Sequence, residues 1–382
     1  MPWPEVSVMD LRREFLHLAG GEEVIFSALC RRYGISRKTG YKWLSRGLEE
    51  VRNRSRRPHH SPNRTPSAME AAVLGVRAAH PCWGGRKIEH YLERLGLEAV
   101  PSPSTITAIL DRHGVRLGGS GTAGPYQRFE RARPNELWQM DFKGHVALGQ
   151  GRCHPLTVLD DHSRFSLCLA ACGDQTGETV KGHLTKTFRR YGLPDRIITD
   201  NGSPWGDTPE RPYTPLGVWV LRLGIGISHS RPYHPQTMGK DERFHRTLKA
   251  EVLGGPPFAD LERCQSAFDR WRDVYNMERP HQALGMDVPA TRYAVSPRPF
   301  PEHLPAIEYG PEHKVRRVQQ GGWISFLGKD FRLPKAFNGL PVGLVPTNVD
   351  GQWTVIFASR PIAQINLRDG TVQTVTHVPE QV

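Results

Sequence analysis

Three carboxylates stand in settings that could do chemistry together. They are Asp141 in Leu137-Trp138-Gln139-Met140-Asp141-Phe142, Asp200 in Ile197-Ile198-Thr199-Asp200-Asn201-Gly202, and Glu242 in Gly239-Lys240-Asp241-Glu242-Arg243-Phe244. The first two each close a short apolar run of strand type and the third opens a helical pattern. An α/β fold can therefore gather all three at one edge of a sheet. Such a cluster repels itself without cations. Hard divalent ions such as Mg²⁺ prefer oxygen ligands, and a pair roughly 3.5 to 4 Å apart can clamp the attacking and leaving oxygens of a phosphodiester in line.

Helical geometry gives the third acid an orientation. At about 100° per residue, Glu242, His245, Arg246 and Lys249 share one face, while Phe244, Leu248 and Val252 lie on the other. Asp241 projects about 100° away around the helix and reads as a first-turn charge. Asp160 and Asp161 fall in Asp160-Asp161-His162-Ser163, an apparent hairpin turn where Asp is favoured for side-chain-to-backbone hydrogen bonds, so their role reads as structural. Asp207 and Glu210 belong to the Pro/Gly-rich stretch Pro204 to Pro215, a loop rather than a ligand platform.

The elements that must position these acids need a large chain, and at 382 residues this one should divide into several domains. Lys and Arg outnumber Asp and Glu by 51 to 39, for a net charge of +12, which favours a polyanionic partner. Hydropathy offers no bilayer-spanning stretch and no signal-peptide core after Met1, so the expectation is a cytoplasmic, nucleoid-associated protein with no membrane partner. Six cysteines form no C-x-x-C pair, and buried thiols are expected. His59, His60, His80 and Cys82 match no common zinc spacing.

From Val24 to Arg46 the pattern reads helix, turn, helix, with Ser36 as N-cap of the second helix. That helix carries Arg37, Lys38, Tyr41, Lys42 and Trp43, a basic and aromatic surface suited to phosphates and base edges. The run Arg52 to Arg64 has no core-forming residue, and its Arg54, Arg56 and Arg57 suit an arm along a DNA groove. Between Pro66 and Leu117, apolar stripes on Met69, Val73 and Val76, on Ile88 and Leu92, and on Ile106, Ile109 and Leu110 predict three helices, the last capped by Ser104. Strands are expected at Trp138 to Phe142, Leu156 to Leu159, Phe165 to Ala170, Arg196 to Thr199 and Ile225 to Ser230. Helices are expected at Thr179 to Arg190, around Leu216 to Leu223 and from about Met238 to Leu253, which makes a mixed sheet. From Lys314 onward, alternation points to a small β-barrel.

Taken together and in this order, these segments resemble bacterial insertion-sequence transposases with a retroviral-integrase-like catalytic core, encoded in one reading frame. The resemblance runs from about Leu11 through Tyr293. It rests on Leu29 to Trp43, the arm Arg54 to Pro58, Leu137 to Phe142, Thr199 to Pro204, Ser230-Arg231-Pro232-Tyr233-His234-Pro235-Gln236, Gly239 to Lys249, and Glu278-Arg279-Pro280-His281-Gln282-Ala283-Leu284-Gly285. It implies a ribonuclease-H-like core in which Asp141, Asp200 and Glu242 are the catalytic, metal-ligating triad for Mg²⁺ or Mn²⁺, two ions per site when DNA is bound. It implies nicking at the element's ends followed by attack of the freed 3′-hydroxyl on target DNA, with His234 and Gln236 positioning DNA beside the acids. Arg243, Arg246 and Lys249 would contact phosphates. The interval from Asp200 to Glu242 is longer than the family's usual one, and Met238 stands where a polar residue is common. The amino end has helix-turn-helix elements where retroviral integrases carry a zinc module.

The resulting organisation is multidomain. A helix-turn-helix domain at 1-52, a basic arm at 53-65, a second helix-turn-helix-like domain at 66-118 and a linker at 119-133 precede the catalytic core at 134-254. A helical extension at 255-296 and a small β-barrel at 308-376 follow. Pairing two DNA ends requires two active sites, so a dimer or larger assembly on double-stranded DNA is expected. A regulator that binds without cutting would keep the modules but not need the acids, and a ribonuclease for RNA–DNA hybrids would not need the amino-terminal readers.

Overall fold

The computed structural model describes residues 7–55, 64–115, 130–200, 202–206, 213–229 and 239–375. The chain forms two compact units, Met1–Arg64 and Thr65–Val382. In the first, helices α1 (Val8–Ala19), α2 (Phe26–Arg32) and α3 (Arg37–Leu44) close around Phe15, Leu16, Leu29, Cys30 and Trp43. Ser36 caps α3 by accepting the Thr39 amide at 3.1 Å, satisfying a donor the helix cannot. Mid-helix glycine ordinarily costs ~0.5–1 kcal/mol against alanine. Gly40 is nevertheless required, because a Cβ there would lie 2.7 Å from Cys30 Sγ and 2.8 Å from Phe26 Cζ.

The second unit opens with α4 (Ser67–Ala79), α5 (Gly85–Arg94) and α6 (Pro103–Arg112), whose predicted apolar stripes meet in one core around Val73, Ile88, Leu92, Ile106 and Ile109. Ser104 is not the cap of α6. The helix starts two residues earlier, with Ser102 at the cap and Pro103 in the first turn, where its fixed φ and missing N–H cost nothing.

A six-stranded mixed sheet follows, built from β1 (Trp138–Phe142), β2 (Val146–Ala147), β3 (Arg152–Asp160), β4 (Ser166–Cys172), β5 (Arg196–Thr199) and β6 (Gly226–His229). β1, β3 and β4 pair antiparallel, whereas β1, β5 and β6 run parallel. Helices α7 (Gly177–Tyr191) and α8 (Pro215–Arg222) cover one face, with their Val180, Phe188 and Val220 in one core with Trp138 and Met140 of β1. Helices α9 (Gly239–Leu248) and α10 (Leu261–Met277) cover the other through Phe244, Leu248, Cys264, Phe268 and Tyr275. Cover on both faces is why β4, Ser-Leu-Cys-Leu-Ala-Ala-Cys, reads as a nearly continuous apolar run rather than an alternation. A short helix α11 (Pro289–Arg292) ends this region.

At the carboxyl end, β7 (Lys314–Arg317), β10 (Pro341–Pro346), β11 (Gln352–Phe357), β12 (Arg360–Asn366) and β13 (Val372–Thr374) form a five-stranded antiparallel sheet, while β8 (Trp323–Phe326) and β9 (Lys329–Arg332) form a hairpin. Both share a core that includes Phe326, Phe331, Phe337, Leu344 and Phe357, joined by Val218 and Leu221 of α8. The expected β-barrel is thus seen as a sheet and a hairpin. Among the described residues no ladder joins β13 to β7, and the four-residue β8 and β9 pair with each other. Among the described residues no helix is long and apolar enough to cross a membrane.

Candidate catalytic site

Strand periodicity decides where the first acid points. Along β1, Trp138, Met140 and Phe142 belong to the α7/α8 core, so Gln139 and Asp141 face the opposite side, under α9. The parallel register pairs Trp138 with Ile197 and Gln139 with Ile198. Carrying it forward sets Asp141 level with Asp200, the residue that follows β5. Glu242 stands exposed in the first turn of α9. The helix is seated on β1 by the Asp241 amide, which donates to Gln139 Oε1 at 3.2 Å.

The electrostatics register this convergence. Burial, then the charge of Asp200 and more weakly that of Glu242, push the Asp141 carboxyl up to about 7. The Phe142 amide, donating to Asp141 Oδ1 at 2.8 Å, and the Lys143 charge act the other way. Asp200 accepts from the Gly202 amide at 3.1 Å. An acid disfavoured as an anion by two neighbouring acids is the arrangement that a divalent cation relieves.

Beside Asp141 lies a buried network of Asp241, His245 and Thr157. Asp241, a first-turn residue of α9, is 1% exposed, and His245, expected on the face of Glu242, is 9% exposed. Their rings and carboxylates meet at 3.1 Å between His245 Nε2 and Asp241 Oδ2. Thr157, directly across from Asp141 in the β1–β3 ladder, reaches both. Its Oγ1 lies 3.1 and 3.2 Å from the two Asp241 oxygens, 2.9 Å from His245 Nε2 and 3.0 Å from the Asp141 carbonyl. Burial raises the Asp241 carboxyl well above the usual range and lowers His245 to about 3, so both favour their uncharged forms. Asp141, Asp241 and His245 bring potential ligand atoms within 4.8 Å of one another. The signal was present: positions 241, 244, 245 and 248 follow i, i+3, i+4, i+7 and form the buried stripe of α9.

The remaining side of α9 agrees with its reading. Arg243, Arg246 and Lys249 are exposed, with Lys249 opening a π-helical turn, Lys249–Leu253, that ends the helix. Asp160 and Asp161 are structural, as expected, though fully buried rather than on a surface turn. Asp160 accepts from the Ser163 and Asn135 amides at 2.8 and 2.7 Å, and Asp161 accepts from Arg131 and Gln139 while pairing with Lys240.

In the first unit Arg37, Lys38, Tyr41 and Lys42 are exposed on α3. Trp43 is not on that surface: at 6% exposure it completes the core, and the Arg12 guanidinium stacks 4.0 Å above its ring. The reason is again the helical turn, which places Trp43 beside Gly40 on the packed side. Arg54 is exposed and pairs with Glu50. Arg56, Arg57, His234 and Gln236 lie outside the described residues. Cys30, Cys153, Cys168, Cys172 and Cys264 are buried free thiols, with Cys82 partly so.

Known proteins share these parts. Residues 131–235 and 223–289 match models of the integrase core domain, 313–373 match the C-terminal domain of IS481 family transposases, and 39–110 match a homeodomain-like domain. An uncharacterised 39.2 kDa protein of insertion element IS476 from Xanthomonas euvesicatoria is 29% identical over 246 residues, 63% of this chain and 68% of its own length. A 31.7 kDa uncharacterised protein of insertion element IS407 from Burkholderia multivorans is 27% identical over 157 residues, 41% of this chain and 54% of its own. Among solved structures, a simian T-cell lymphotropic virus intasome chain aligns with 80% of this chain and 96% of its own, at 17% identity and a TM-score of 0.36.

Proposed function

We propose that this chain, which belongs to the bacterial insertion-sequence transposases with a retroviral-integrase-like core, binds the ends of its element and then cuts and joins DNA with Asp141, Asp200 and Glu242. The observation that carries this reading is the meeting of Asp141 and Asp200 at the ends of two parallel strands beneath the helix that offers Glu242, where burial and both other acids hold the Asp141 carboxyl up. An all-oxygen donor set suits Mg²⁺ or Mn²⁺. Asp141, Asp200 and Glu242 would hold up to two such ions once DNA is bound. Asp241 and His245 are already satisfied by each other and by Thr157, which favours a positioning role over a ligand role.

When bound, the ions would neutralise charge developing at the phosphodiester. The protein's own contribution is orientation. The buried stripe of α9 fixes the helix on β1 and β3, so that Glu242 is offered toward Asp141, while Arg243, Arg246 and Lys249 hold backbone phosphates. Water attacks the phosphodiester at the element end and releases a 3′-hydroxyl. That hydroxyl then attacks a target phosphodiester, one bond forming as another breaks, with no covalent enzyme intermediate. The modules at 1-52 and 66-118 would read the ends, the basic arm at 53-65 would join them, the linker at 119-133 would lead to the core, and the regions 134-254, 255-296 and 308-376 would form the core and its supports. Arg37, Lys38, Lys42 and Arg54 are the readers assigned on the first unit, and two chains are needed to pair two ends.

Strand transfer with purified protein, Mg²⁺ and a labelled element end tests the reading. Wild type should nick and join the end, and Asp200→Asn should bind it without doing either. A wild-type protein that binds the end but never cuts would be a regulator instead.

A further inference from the structure

Three arginines meet over the turn that joins α8 to β6. Arg196 opens β5 and Arg360 opens β12, while Arg298 comes from the segment that follows α11. A Cβ on Gly226 would lie 3.1 and 3.2 Å from the two terminal nitrogens of Arg360 and 3.4 Å from Arg196 Cγ, and one on Gly224 would lie 3.1 Å from Arg298 Nη2. Gly224, at a φ of +72°, and Gly226 thus let the arginine side chains lie close against the backbone. Arg298 is anchored, donating to the carbonyls of Pro194, Leu223 and Gly224 at 2.7, 3.0 and 3.2 Å and lying 3.6 Å from Asp195 Oδ1. Asp195 is shared with Arg133 at 2.9 Å. Arg196 touches Ser228 Oγ at 3.4 Å. No carboxylate or carbonyl among the described residues accepts from the Arg360 guanidinium, which is half-buried against two like charges. Guanidinium cannot escape by losing its proton, so this arrangement costs stability and calls for an anion.

We propose that Arg196, Arg298 and Arg360 form an anion site for a backbone phosphodiester of bound nucleic acid, at the junction of the catalytic sheet and the carboxyl-terminal sheet. A planar guanidinium fork matches phosphate oxygens in pairs, and the chain as a whole carries +12. Arg196 stands at the opposite end of β5 from Asp200, roughly 13 Å away at the usual rise per strand residue. The site is thus within reach of the same duplex but too far to hold the phosphate being cut. It adds to the acids a second grip, contributed partly by the carboxyl-terminal sheet.

The test measures binding of the full-length, metal-free protein to a short duplex of unrelated sequence across a salt series, followed by thermal melting. Arg360→Gln should weaken binding and lower the salt slope by ~1, the change expected for one lost phosphate contact. Arg360→Lys should retain most of the slope, and Arg368→Gln, which removes an exposed arginine of the turn between β12 and β13, should leave it unchanged. Relief of like-charge repulsion should leave Arg360→Gln melting no lower than wild type. An unchanged slope in Arg360→Gln overturns the proposal. So does a lower melting temperature, which would make Arg360 a structural residue. A third overturning result is inorganic phosphate stabilising wild type beyond chloride at matched ionic strength while the DNA slope is unaffected, since the site would then take a free anion. No cleavage is measured, so the outcome is separable from that of the strand-transfer assay.

Discussion

Asp141 links the chemistry of the site to the stability of the fold. Its folded-state value of about 7 lies above the ordinary 3.8, so the folded chain binds the proton more tightly than the unfolded chain. The associated stability is fully present below about pH 4 and is lost as pH rises to about 7. Above that window the metal-free protein carries an ionised acid crowded by Asp200 and Glu242. Asp141→Asn should therefore raise the metal-free melting temperature at neutral and higher pH, do so much less near pH 4, and abolish any further rise on adding Mg²⁺. A fall in melting temperature at neutral pH would show that Asp141 is not under electrostatic load. Asp241 makes the opposite prediction. Removing its carboxyl leaves Thr157 and His245 without their buried partner, so Asp241→Ala should cost about 1–3 kcal/mol in urea unfolding, and Asp241→Asn, which keeps an acceptor, should cost less. Equal midpoints for wild type and Asp241→Ala would show that the network does not seat α9.

Helix α3 shows how an element can overrule the preference of its residues. In an isolated helix, glycine to alanine is favourable. At Gly40 the added methyl would press on Cys30, Phe26 and Phe15, so Gly40→Ala should destabilise the first unit. Hydrogen exchange over Val8–Ala19 and Arg37–Leu44 should quicken while the second unit is unaffected, and slower exchange would refute the packing argument. The same competition explains what could be read in advance. Strands Trp138–Phe142 and Arg196–Thr199 and the stripes of α4, α5 and α6 were legible because apolar period and packing agree there. Asp241, His245 and Trp43 are buried against the ordinary preference of polar residues and of an aromatic among cations. Two polar groups lie on a buried stripe and satisfy each other, and an aromatic beside basic residues turns inward under Arg12. The two-residue β2 and the pairing of β8 with β9 depend on contacts that local pattern does not encode.

The distribution of charge over the whole chain carries the last prediction. Exposed cations occur on α3 at Arg37, Lys38 and Lys42, on α9 at Arg243 and Arg246, and on β7 at Lys314, Arg316 and Arg317, so no single element accounts for the excess of +12. A protein that engages DNA through several such surfaces must release many condensed counterions at once. With six to ten phosphates contacted, affinity for an element end should fall by about 10³- to 10⁵-fold between about 50 and 200 mM salt. Substitutions on different surfaces should then act differently. Arg37→Ala or Lys42→Ala should weaken binding and also change which end sequence is preferred, whereas Arg246→Ala should lower affinity for every sequence alike and reduce the salt slope by ~1. Titration of labelled duplexes, one with the element end and one without, separates these effects in a single experiment. A response to salt that is nearly flat would mean that DNA is held through one small surface, and the division of labour between reading helices and catalytic helix would have to be abandoned.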